Sequence, residues 1–182
     1  MPGHRSYPPL PAALRDEWER IEPSGEGAVR YRPSAAILAD GTTVECVYLI
    51  DAQSYIDSWG VWPEDDPGKQ SVRVDDVRAV AESPHRLPAA FANELYAAGE
   101  SGMAYCIFTL RFSDGTEQAY LGGNAIDFVP LPAGKSMADI VAVLPHEGRR
   151  APQLSVSPYA WCLFGQGESS HRSERQVDSL NG

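Results

Sequence analysis

The feature that most constrains the fold of this chain is the segment 104–121, AYCIFTLRFSDGTEQAYL. Apolar side chains occupy every second position in its first half: Cys106, Phe108, Leu110 and Phe112. The Asp114-Gly115 pair follows, and alternation beside such a pair is a strong signal for two antiparallel strands joined by a tight turn. The sequence therefore predicts a β-hairpin, whose apolar face another element of the chain has to cover.

A second Asp-Gly pair, at 40–41, predicts a second hairpin earlier in the chain. Two helices are predicted from apolar residues at helical spacing. The first follows Pro11, and its apolar stripe consists of Leu14, Trp18 and Ile21. The second covers 88–98, and its stripe consists of Phe91, Leu95 and Ala98. Gly99 is well placed to end that helix, because a left-handed backbone is often needed there.

Further elements are predicted from the rest of the chain. Four short apolar runs indicate strands: 55–62, 72–80, 125–131 and 158–165. The Asp75-Asp76 pair predicts a break or a short turn within the second of these runs. Ser136 and Asp139 have the spacing of a helix capping box, so a short helix is predicted from there to Pro145.

These elements together predict an α+β fold. We expect a mostly antiparallel, barrel-like sheet with two or three short helices packed on it, and the run 158–165 either at a sheet edge or across the barrel. Residues 11–165 are predicted to form one domain. A proline-rich arm at 1–10 precedes that domain, and a polar tail at 166–182, predicted to be disordered, follows it.

Residues 35–82 resemble the small SH3-like and Sm-like barrels. The shared layout is a strand, an Asp-Gly turn, a long bent strand, a further strand and a valine-rich strand that ends near a short turn. The whole chain also resembles an uncharacterised bacterial protein family, which implies no activity. Sm-like barrels often bind RNA through basic and aromatic surfaces. That property is not carried over, because this chain is acidic and has two lysines, Lys69 and Lys135.

The charge of the chain restricts its partners. The formal net charge is -10, and such a surface repels phosphate backbones, so nucleic acid is not an expected partner. The acidic balance suits a basic protein surface instead. No apolar run approaches 18 residues, so no membrane span is expected. Three widely spaced cysteines in apolar runs, Cys46, Cys106 and Cys162, predict buried free thiols in a reducing cytoplasm.

The segment 59–66, WGVWPEDD, is the strongest candidate for a functional surface. Its candidate partner-binding residues are Trp59, Trp62, Glu64, Asp65 and Asp66. Tryptophan is enriched at interface hot spots, and carboxylates at the rim would steer a basic partner. We therefore expect a non-catalytic, cytoplasmic, protein-binding module with an immunity-like or adaptor role. The alternative is that one or both tryptophans cap the core and leave only the acids exposed.

A small enzyme or small-ligand binder is the other functional class that the sequence allows. Its site would be the groove between the sheet and helix 88–98, with Cys106, His85 and Glu100 as the functional residues. Known motifs do not support catalysis. Ser101 lacks the glycine two positions later that a nucleophile elbow needs, and His146-Glu147 lacks the second histidine of H-E-x-x-H. No catalytic residue, metal site or cofactor is therefore predicted for the binding module.

Overall fold

The computed structural model describes residues 5–25, 27 and 29–167. Most of the predicted tail, residues 168–182, lies outside this part of the chain. The described residues form three α-helices and nine β-strands. The helices are α1 (Ala12–Glu19), α2 (Ala52–Trp59) and α3 (Ala89–Ala98). None of the helices in the described part is long and apolar enough to cross a lipid bilayer.

The strands of the described residues form two sheets. In chain order they are β1 (Pro33–Leu38), β2 (Thr43–Asp51), β3 (Gln70–Ser71), β4 (Val77–Glu82), β5 (Cys106–Phe112), β6 (Glu117–Gly122), β7 (Ile140–Pro145), β8 (Gln153–Ser155) and β9 (Ala160–Phe164). The first sheet has the order β3-β9-β2-β1-β4, and the second has the order β7-β5-β6-β8. Each sheet is thus built around one of the two predicted hairpins.

Both predicted hairpins are confirmed. β5 and β6 pair antiparallel, with Cys106 opposite Gly122 and Arg111 opposite Glu117. Their turn places Gly115 at a φ of 85°, a left-handed backbone that glycine adopts without steric strain. The earlier Asp-Gly turn joins β1 to β2 in the same way. The hairpin β5–β6 packs its apolar face against α3, as its alternation requires.

The α+β class is confirmed, but the mostly antiparallel barrel is not. Both sheets are mixed and neither closes into a barrel, because β9 runs parallel to β2 and β3 while β8 runs parallel to β6. β9 also lies between β2 and β3 in the interior of its sheet. The sequence had predicted this segment to be an edge strand or to cross a barrel. Every residue of β9 is buried, so its two faces serve two different cores.

α2 replaces the strand predicted at 55–62, and that prediction is wrong. The helix begins because the Asp51 carboxylate accepts a hydrogen bond from the Ser54 backbone N–H at 3.0 Å, the usual contact of a helix N-cap. It ends at Gly60, whose φ is 71°. Aromatic residues favour strands on average. Here the N-cap at Asp51 and the packing of the aromatic side chains against the core stabilise a helix instead.

The prediction of a helix after Ser136 is also wrong. The capping box forms, but it supports a single 3-10 turn at Met137–Asp139, after which β7 begins. β7 pairs with the edge of β5, so Ile140 and Val143 enter the core as strand residues. Residues 125–129 of the run 125–131 are buried, but the run does not form a strand, and one β-bridge joins Phe128 to Arg86. The Asp75-Asp76 break is confirmed as part of a 3-10 turn before β4.

Three clusters of buried side chains stabilise the described part of the chain. α1 covers one face of the first sheet, where Val47 and Leu49 of β2 are buried. α3 covers one face of the second sheet. The third cluster, here called the aromatic cluster, lies on the opposite face of the first sheet and joins it to the run 125–131. Its closely packed rings include Tyr31, Tyr48, Tyr55, Phe128 and Trp161.

Candidate functional site

The acidic loop, residues 63–66, is separated from α2 by residues 60–62 and begins with the 3-10 turn Pro63–Asp65. Two of its carboxylates hold one guanidinium group from the N-terminal arm. Arg5 Nη1 lies 3.2 Å from Glu64 Oε2, and Arg5 Nη2 lies 2.6 Å from Asp65 Oδ1. The Tyr7 hydroxyl donates a second hydrogen bond to Glu64 at 3.1 Å. Burial and the neighbouring Glu64 charge raise the pKa of Tyr7 to about 12, so the phenol stays protonated and can donate.

Asp66 has a different basic partner. Its carboxylate lies 3.4 Å from Lys69 Nζ, and that ammonium group donates to the Tyr55 hydroxyl at 3.0 Å. The same ammonium lies 4.4 Å from the centre of the Trp59 ring, within cation–π range. Lys69 thereby ties the far end of the acidic loop to α2. The side chains of Glu64, Asp65 and Asp66 are 37%, 50% and 34% exposed. Asp66 is held by Lys69, whose side chain is 16% exposed, whereas Glu64 and Asp65 pair with the more exposed Arg5.

The two tryptophans of the segment belong to the core. Trp62 is 6% exposed and packs in the aromatic cluster, where its ring lies 5.3 Å from that of Tyr7. Trp59 is partly buried, stacks on Tyr55 at 6.1 Å and meets Trp161 edge-on at 5.1 Å. The structure therefore favours the alternative in which the tryptophans cap the core. The carboxylates are left as the groups that a partner can reach.

The residues of the predicted enzyme site do not all meet. Cys106 and Glu100 line one cavity of about 200 Å³ at the end of α3. His85 is not among the described residues that line it, and its Nε2 lies 2.7 Å from Glu45 Oε2 instead. Burial raises the pKa of the Cys106 thiol above its ordinary value of 9.0, so the thiol is protonated at neutral pH. A protonated thiol is a poor nucleophile, which argues against catalysis by Cys106.

The structure also brings Ser101 to His146, a contact that sequence reasoning missed. Ser101 Oγ lies 2.8 Å from His146 Nδ1, and His146 Nε2 lies 3.1 Å from the Ala98 carbonyl oxygen. Because a carbonyl only accepts, His146 Nε2 carries a proton and donates to it, while the Ser101 hydroxyl also lies 3.2 Å from the Ile107 carbonyl oxygen as a donor. Ser101 Oγ also accepts the Ile107 N–H at 2.8 Å. The hydroxyl is occupied on two sides and anchors the start of β5, which is a structural role.

A fully buried carboxylate, Asp127, lies where the run 125–131 meets β2 and α3. It is 0% exposed, and three hydroxyls donate to it. Oδ2 accepts from Tyr48 at 2.9 Å and from Tyr96 at 2.5 Å, while Oδ1 accepts from Ser24. The backbone N–H groups of Ile126 and Asp127 donate to these two tyrosine hydroxyls, each at 3.2 Å, and so direct their protons to the carboxylate. The sequence indicates this buried carboxylate only by placing an acidic residue inside the apolar run 125–131.

No metal centre is evident in the part of the chain that the structure describes, because no three His, Cys, Asp or Glu side chains there are grouped to hold an ion. The candidate sites are therefore the acidic loop and the cavity beside Cys106. Comparison of the chain with models of protein families, with curated proteins and with solved structures finds no match.

Proposed function

We propose that the protein is a non-catalytic binding module whose acidic loop takes up an arginine-bearing segment of another protein. One observation carries this proposal: Glu64 and Asp65 already hold the Arg5 guanidinium between them. Guanidinium groups are suited to such two-pronged contacts with carboxylates, since several N–H donors lie in one plane. The loop is thus built for the chemistry of a basic partner.

The arm that carries Arg5 suggests how a partner would lie. Pro9 and Gly165 form a parallel β-bridge, and the Gly165 N–H donates to the Pro8 carbonyl at 2.9 Å. The arm therefore runs in extended form past the end of β9 and reaches the acidic loop. A partner segment that presents arginine in an extended conformation would make the same contacts after it displaces the arm.

The overall charge supports a basic partner of this kind. A net charge of -10 attracts cationic surfaces over a range of about 8 Å at physiological salt and raises the rate of encounter. An immunity-like or adaptor role in the cytoplasm fits this behaviour, for example by covering the basic substrate channel of a nuclease. The enzyme alternative is not proposed, because His85 does not meet Cys106 and Glu100.

Neutralising the two exposed carboxylates is expected to weaken binding of a basic peptide. The variant combines Glu64→Gln with Asp65→Asn in an Arg5→Ala background. We expect its affinity for a fluorescent hexa-arginine peptide to be about five- to tenfold lower than that of Arg5→Ala alone. Exposed ion pairs contribute up to roughly 1 kcal/mol each, which gives this magnitude. Fluorescence anisotropy at low and physiological salt measures the affinity.

The matched control changes the net charge equally at a distance from the loop. Asp16 and Glu94 are both exposed, so Asp16→Asn with Glu94→Gln in the same Arg5→Ala background removes two charges elsewhere. We expect less than a twofold effect from this control. Equal weakening in both variants would mean that overall charge alone drives binding, and the loop would lose its proposed role.

Displacing the arm is expected to strengthen binding of the same peptide. A Cβ added at Gly165 would lie 2.3 Å from the Tyr7 carbonyl oxygen, so Gly165→Ala forces the arm away without changing any charge. We expect affinity for hexa-arginine to rise about three- to fivefold over the unmodified chain, because Arg5 no longer competes. Unchanged or weaker binding in the folded variant would contradict this competition.

A further inference from the structure

The cavity beside Cys106 is separate from the acidic loop and has its own chemistry. It lies where α3 ends and β5 begins, and it has a volume of about 200 Å³. Its lining includes Tyr31, Leu95, Tyr96, Glu100, Cys106 and Asn124. An apolar cavity of about 150 Å³ can hold benzene, so this slightly larger one has room for a six-membered ring with a short substituent.

Two tyrosine rings form its aromatic side. The ring centres of Tyr31 and Tyr96 are 5.8 Å apart, with a tilt of 40° between their planes. The Tyr96 hydroxyl is engaged by Asp127 and by the Ile126 N–H, so Tyr96 offers the cavity its ring. That buried network also fixes the ring in place before any ligand arrives. A fixed wall reduces the entropy that binding has to overcome.

The charge of the lining residues favours one sign of ligand charge. Glu100 is the one charged residue among the described lining residues, and Lys, Arg and His are absent from that set. Its carboxylate Oε2 accepts the Ala104 N–H at 3.1 Å, which helps to fix its position. Aromatic faces also attract cations and repel anions. Glu100 and the two tyrosines therefore all favour a positively charged ligand over an anionic one. The net charge of -10 favours a cation as well.

We propose that this cavity binds a small organic cation: an ammonium group on an apolar, preferably aromatic, body. The ammonium pairs with Glu100 near the mouth, while the body contacts Leu95 and the tyrosine rings inside. Cys106 is a neutral contact in this complex, and no covalent step is involved. The site is independent of the acidic loop and of any protein partner that the loop binds.

The thiol of Cys106 makes the proposal testable on the unmodified chain. Phenethylammonium, with nine non-hydrogen atoms, is the probe, and 2-phenylethanol and phenylacetate are its neutral and anionic analogues. Each is added at millimolar concentration during alkylation by iodoacetamide, and the labelled peptides are quantified by mass spectrometry. Cys46 is also half-buried but does not line the cavity, so it serves as the internal control.

We expect phenethylammonium to slow alkylation of Cys106 at least fivefold and to leave Cys46 unchanged. The alcohol should protect Cys106 less than twofold, and phenylacetate not at all. In Glu100→Gln, whose folding circular dichroism verifies, protection by phenethylammonium should fall to the level of the alcohol. Equal protection by all three probes would overturn the preference for a cation. Absence of protection, or equal slowing of both thiols, would overturn the site.

Discussion

Asp127→Asn is expected to lower the free energy of unfolding by about 2–4 kcal/mol. The carboxylate accepts from Ser24, Tyr48 and Tyr96 in a fully buried position. An asparagine of the same shape brings an NH₂ donor against hydroxyls that are already directed at that position. Leaving buried polar groups without partners costs about 1–3 kcal/mol each, and more where a charge is involved. Urea unfolding followed by tryptophan fluorescence measures the change.

Tyr96→Phe provides a milder control, since it removes one of the three donors and keeps the ring. We expect a loss of about 1 kcal/mol from it, and less than additive losses when it is combined with Asp127→Asn. Additive losses would mean that the carboxylate and this hydroxyl do not interact in solution, contrary to the structure.

The same carboxylate should make stability depend on pH. Burial raises the pKa of Asp127 above the ordinary 3.8, despite the three hydroxyl bonds and the nearby positive charge of Arg86. A raised folded-state pKa means that the native state holds a proton which the unfolded state has lost. Stability therefore rises as the pH falls through the raised pKa towards 3.8. The difference in unfolding free energy between the unmodified chain and Asp127→Asn should therefore widen as the pH is lowered towards 3.8.

Trp62→Ala is expected to destabilise the fold by about 3–5 kcal/mol. Its ring is 6% exposed and packs against Tyr7 in the aromatic cluster, so truncation removes a large buried apolar surface and leaves a cavity. Thermal and urea unfolding both report this loss. Trp62→Phe, which keeps a ring in the same place, should lose less than half as much. A loss below 1 kcal/mol in Trp62→Ala would show that the ring is exposed in solution.

This result decides how the binding proposal is tested. If Trp62→Ala weakens the fold, any loss of partner binding in that variant follows from damage to the core. Glu64 and Asp65 avoid this difficulty, because their side chains are exposed and their removal leaves no cavity. The carboxylate variants, compared with the distant control, therefore measure the contribution of the loop itself.

The features that sequence reasoning predicted correctly all depend on short stretches of chain. The two Asp-Gly hairpins, α3 with Gly99 after it and the break at Asp75-Asp76 follow from local alternation, helical spacing and turn chemistry. Within the site, the position of Cys106 and Glu100 beside α3 was also predicted, because all three are close in sequence. Such contacts need little loop closure, so local preference determines them.

The remaining features depend on contacts between distant segments, which only the tertiary structure decided. β9 became an interior strand because β2 offered a parallel edge more than 100 residues away, and β7 became a strand because β5 had a free edge. Asp127 meets Ser24 and Tyr48 across similar distances in the chain. The burial of Trp62 and the pairing of Glu64 with Arg5 have the same origin. Local composition predicted an acidic tryptophan segment, and long-range packing decided which of its side chains a partner can reach.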